Sequence, residues 1–123
     1  VIGSALCALV ALAFLALGVG SYAAPAALAE NYGLPVSNTT EIAYLRALGT
    51  RDFVLGLLVA RFLRSASDRD ALRSTIAVSA LVAAGDFAVV FRTRGPSAKA
   101  ALAIHGSGIV GLLLIRELLA REL

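Results

Sequence analysis

The first 24 residues, Val1 to Ala24, contain no charged side chain, and no other feature restricts the fold as strongly. Wound as a helix, a run of this length crosses a hydrocarbon layer of about 30 Å. Small residues at Ala23-Ala24-Pro25-Ala26-Ala27 resemble a signal-cleavage site. The apolar core of a secretory signal, however, is only about 7–15 residues. The rest of the chain has the same character, with 59% of its 123 residues hydrophobic and 15% charged. A soluble domain has about 45–50% and about 25%. The single Cys7 has no intrachain partner and reads as a small buried hydrophobe.

Three further apolar stretches follow. One covers about residues 42–63, after Asn38-Thr39-Thr40-Glu41, whose N-cap and following carboxylate predict a helix start near Thr39. A second covers about 71–91, behind the cap-like cluster Ser67-Asp68-Arg69-Asp70. A third covers about 98–119, after the break at Gly95-Pro96-Ser97. With the first run, about 1–24, they predict an all-α fold, a four-transmembrane-helix bundle forming a single integral membrane domain over residues 1–123. Between the first two spans, Pro25 to Tyr32 reads as a short interfacial helix, opened by Pro25 and closed by Gly33.

The net charge of +3 does not indicate a nucleic-acid partner, because no basic patch is interleaved with aromatics. The basic residues report topology instead. Arg61, Arg64, Arg69 and Arg73 flank the second connection and Arg116 and Arg121 lie in the tail, against Arg92, Arg94 and Lys99 on the other side. This bias predicts a multi-pass protein with both termini cytoplasmic. Tyr22, Tyr32 and Tyr44 fall near the outer interface and read first as belt residues, with Tyr32 and Tyr44 also available to the mouth of a ligand pocket.

Four polar residues stand where an apolar layer penalises them: Arg51, Asp52, Asp86 and His105. A charge near the bilayer centre costs about 2.5–3.5 kcal/mol on insertion scales, so each needs a partner or a function. At about 1.5 Å per residue, Arg51 lies about 13 Å, Asp52 about 15 Å, Asp86 about 7 Å and His105 about 10 Å from the outer end of its span. All four therefore fall in the outer half. Arg51 and Asp86 are the expected ion pair, since a guanidinium grips a carboxylate through two parallel hydrogen bonds. Asp52, about 100° around the helix from Arg51, is expected to face elsewhere. Gly49 with Gly56, and Gly108 with Gly111, are expected at close helix contacts.

Other chemistry finds no support. There is one His, no Cys pair and no Gly-rich phosphate loop, so neither a metal nor a cofactor is indicated.

The ordered set Tyr32-Gly33-Leu34-Pro35, Gly49-x-Arg51-Asp52-x-x-x-Gly56, Gly85-Asp86, Gly95 and His105 resembles the domain of unknown function 4267 (DUF4267) family of small integral membrane proteins. This chain departs from that pattern where Phe87, rather than Gly, follows Asp86. The resemblance implies four spans, with Arg51, Asp52, Asp86 and His105 at the family's polar positions, and implies no established activity. Fungal members resembling this one can occur beside small-molecule biosynthetic genes, which implies a lipophilic substrate.

Three function classes follow. The favoured one binds, isomerises or cyclises a lipophilic small molecule, with Asp86 and His105 exchanging protons and Arg51 stabilising developing negative charge. The second is proton-linked transport by an assembly of several copies, a homo-oligomer. The third is a structural membrane subunit whose charges fix helix register. The lipid bilayer is a partner in all three.

Overall fold

The computed structural model describes residues 1–122, all-helical with no strand among them. Leu123, the last residue of the expected domain, lies outside the described residues. Five α-helices follow in order: α1 (Ile2–Ala23), α2 (Pro25–Tyr32), α3 (Thr39–Leu63), α4 (Arg69–Arg94) and α5 (Lys99–Arg121). Single 3₁₀ turns, Ala66–Asp68 and Gly95–Ser97, lead into α4 and α5.

Local sequence chemistry explains several of these boundaries. Pro25 opens α2, and Gly33 closes it at φ 108°, a left-handed conformation that side chains disfavour. The α3 start resembles a capping box with the carboxylate reaching one residue further back: Asn38 Oδ1 accepts from Glu41 N–H at 2.9 Å, while Glu41 Oε1 accepts from Ser37 N–H at 3.0 Å and Asn38 Nδ2 at 2.9 Å. The α4 start differs from expectation, since no side-chain hydrogen bond caps it. Asp68 instead accepts from Arg61 across the turn at 3.3 Å.

Helix α1 packs chiefly on α3, and α4 on α5. The α1–α3 seam is made of small residues, which let two backbones approach closely. A Cβ at Gly49 would collide with Ser21, and one at Gly18 would meet Phe53 Cβ at 2.6 Å. Gly56 stands against the α1 backbone, where an added Cβ would lie 3.0 Å from Ala11 O. The α5 glycines do not behave as expected. Gly108 faces Ala83 at an ordinary distance and Gly111 faces open space, because glycine spacing alone does not say which helix face is covered.

One buried core joins Cys7, Ala11, Val59, Leu72, Ile76, Leu112 and Leu119; a second, smaller one joins Val90, Ala98 and Ala101 under Tyr32 and Leu34. The outward faces are apolar too, with Leu12, Val19, Leu57, Leu81 and Leu114 exposed. Water would penalise so large an apolar surface, whereas lipid does not. Helices α1, α4 and α5 are long and apolar enough to cross a membrane. Helix α3 matches them in length but carries Arg46, Arg51 and Asp52 along its middle, and these charges keep it out of that group.

Candidate functional site

Three helices and the end of α2 converge on one polar network. Arg51, near the middle of α3, grips Asp86 of α4 through two parallel hydrogen bonds, Nη1 to Oδ1 at 3.0 Å and Nη2 to Oδ2 at 2.9 Å. This is the fork geometry that a guanidinium and a carboxylate favour. The Asp86 side chain keeps 14% of its surface exposed and that of Arg51 31%.

Asp52 joins the same guanidinium. Its Oδ1 accepts from Arg51 Nε at 3.2 Å and Nη2 at 3.1 Å. The expectation that it faces elsewhere is therefore corrected. The angle between neighbouring Cβ atoms was the wrong measure, since the long arginine side chain folds back over the next residue.

Tyr32, the last residue of α2, closes the network on two sides. Its hydroxyl donates to Asp86 Oδ1 at 2.9 Å, and its carbonyl lies 2.8 Å from His105 Nε2 of α5. The two rings meet edge to face with centroids 4.7 Å apart. A carbonyl can only accept, so Nε2 carries the proton, and in the neutral ring Nδ1 is the acceptor. Burial first, and then the charge of Asp86 and the hydrogen bond to it, push the Tyr32 hydroxyl well above the ordinary tyrosine value. Tyr32 is thus held as a neutral donor.

Beside the network lies a cavity of about 210 Å³. Its polar wall includes Tyr32, Asp52, Asp86, His105, Ser21 and Ser79; its apolar wall includes Phe14, Leu17, Leu28, Leu48, Ile104 and Leu112. Arg51 is not on this wall. It stands behind the carboxylates, so a role opposite developing negative charge on a ligand has no geometric support. Both Asp86 oxygens are engaged, whereas Asp52 Oδ2 and His105 Nδ1 have no hydrogen-bond partner among the described residues.

Tyr44 is 72% exposed and lines a separate groove with Leu34, Pro35 and Glu41. Tyr22 remains at the surface, bonded to Thr50 at 3.0 Å under Arg46. Sequence reasoning missed Ser21, Ser79 and Asn31 on the cavity wall, and it missed Arg94, whose Nη1 holds Gly33 O at 3.1 Å and so fixes the turn after Tyr32. Ser21 and Ser79 donate to carbonyls of their own helices at 2.7 and 2.8 Å, a pattern common enough in helices to carry no sequence signal. No group of His, Cys, Asp and Glu among the described residues is arranged to hold a metal ion.

These features define a class: a helical protein with three helices long and apolar enough to cross a membrane, and a polar network beside an apolar-walled cavity. Within that class, residues 11–119 match the family model Domain of unknown function (DUF4267), and the chain belongs to that family. No curated protein and no solved structure matches it.

Proposed function

We propose that this protein is a four-span integral membrane domain that binds a small lipophilic molecule between its helices and exchanges protons with it. The spans are α1, α3, α4 and α5, with α2 along the outer interface and both termini cytoplasmic. Neutralisation of Arg51 by Asp52 and Asp86 supports α3 as the fourth span, because paired charges lose much of their penalty in an apolar layer. The arginines around the α3–α4 turn and in the tail support the orientation.

The observation that carries the functional reading is the cavity, whose wall joins apolar side chains to Asp52, Asp86 and His105. Apolar walls with a few convergent polar groups are the usual form of a small-molecule site. Of the ionisable groups, Asp52 and His105 have free acceptor atoms and are the proton-exchanging pair. Asp86, held by three hydrogen bonds to its charged form, is a positioning residue, as is Arg51.

Native mass spectrometry of the detergent-purified protein tests this. A discrete non-lipid molecule should copurify and be lost from Asp52→Asn. A protein that emerges ligand-free, and gains no mass when exposed to an extract of small lipophilic molecules, would refute the reading.

A further inference from the structure

The cavity wall is short of hydrogen-bond donors. Four N–H groups of Arg51 are directed at carboxylates, the Tyr32 hydroxyl at Asp86, and His105 Nε2–H at the Tyr32 carbonyl. What the network leaves open is a pair of acceptors, Asp52 Oδ2 and His105 Nδ1. On the wall but outside the network, only the side-chain amide of Asn31 has donors with no partner among the described residues.

The charges are uneven in the same direction. One guanidinium faces two carboxylates, so with His105 neutral the network carries one uncompensated negative charge. The next cations along α4 are Arg92, six residues or about 9 Å along the axis from Asp86 and exposed, and Arg94, which is engaged at the Gly33 carbonyl. An uncompensated charge in a low-dielectric setting strongly favours a cationic neighbour.

We infer that the ligand class is a lipophilic amine, bound as the ammonium with its N–H groups directed to Asp52 and His105 and its apolar body against the leucines and Phe14. The inference rests on the cavity being a ligand site. Its apolar lining disfavours a bare inorganic cation, which needs a shell of oxygens that this wall does not provide. The volume suits a small body: a dry cavity of about 150 Å³ accepts benzene.

The test is a matched series, benzylamine, benzyl alcohol, benzoate and toluene, titrated by calorimetry near neutral pH into the protein in nanodiscs of zwitterionic lipid, with empty nanodiscs subtracted. Benzylamine should bind about tenfold or more tighter than benzyl alcohol, as a charge-assisted hydrogen bond requires, and benzoate should not bind. Asp52→Asn should abolish the preference for the amine. The comparison among probes on the unaltered chain stands whether or not that variant folds. If benzyl alcohol or benzoate binds as tightly as benzylamine, the amine class is wrong while the cavity remains a ligand site. Competition by sodium at equal concentration would assign the acceptors to an inorganic cation and overturn the amine class. If none of the four compounds binds, the ligand-site reading itself fails.

Discussion

The uneven charge of the network makes its two halves differ in sensitivity. Replacing Asp86 by Asn keeps an oxygen that can accept from Tyr32 and Arg51 Nη1, and loses the bond now 2.9 Å long from Arg51 Nη2 to Oδ2. Arg51 stays paired, because Asp52 Oδ1 still accepts from Nε and Nη2. The cost of Asp86→Asn is therefore that of one charge-assisted hydrogen bond, about 1.5–3 kcal/mol, and the network becomes neutral. Arg51→Met does the opposite, leaving two carboxylates facing each other with no cation. Removing one partner of a buried pair costs about 3–5 kcal/mol, and here two anions lose theirs at once. Reversible unfolding in mixed detergent micelles, followed by helical circular dichroism, measures both. Arg51→Met should be the more destabilising by about 1 kcal/mol or more, and adding Asp52→Asn to it should recover stability. Equal costs, or a larger cost for Asp86→Asn, would refute the charge imbalance.

Four further outcomes are expected. Gly49→Ala drives a Cβ into Ser21, whose Oγ is already bonded to Gly18 O; it should cost about 1–3 kcal/mol, the range for overpacking, and Ser21→Gly should rescue it in a double-mutant unfolding cycle. Gly33→Ala combines a positive φ with a contact of 2.5 Å to Ala101 Cβ, so it should lower the unfolding midpoint and, by displacing Tyr32, weaken ligand binding. Hydrogen bonds from the Ser37 hydroxyl and backbone N–H hold the Glu41 carboxyl below its ordinary 4.5. A depressed native value means this cap contributes fully above about that pH and is lost as pH falls through the lower native value, so amide exchange at the start of α3 should accelerate there and Glu41→Gln should remove the dependence. Single cysteines at Ala27 and Ser67, both exposed, should take up an impermeant maleimide from opposite sides of sealed vesicles, with buried Cys7 silent; labelling from the same side would show that α3 does not cross.

What the sequence made legible was whatever a few adjacent residues decide. Pro25 with Gly33 bounded α2, and Asn38 with Glu41 bounded α3, because capping is a contact over one turn. Arg51 and Asp86 pointed to each other although 35 residues apart, since a charge in an apolar run is conspicuous and needs an opposite one. Tyr32 was read first as an interfacial belt residue, because the depth of a tyrosine can be counted from sequence. That α2 folds over the ends of α4 and α5 cannot be counted, and that placement turns its hydroxyl to Asp86 and its carbonyl to His105. Asp68 shows the reverse failure: its sequence setting is that of a cap, yet a nearby arginine competes for the carboxylate and takes it.

The hydrogen bonds between Arg51 and Asp52 have a consequence for biogenesis. A nascent α3 leaves the ribosome with its cation and an anion on consecutive residues, while Asp86, 34 residues behind Asp52, is still inside the exit tunnel. On the four-span reading proposed above, the guanidinium therefore already holds a counter-charge from its own helix when α3 meets the translocon, and lateral release into lipid does not have to wait for α4. The second carboxylate arrives later and tightens a contact that has already been neutralised. With Asp86 as its only counter-charge, Arg51 would face the lipid alone during the interval in which membrane segments are sorted.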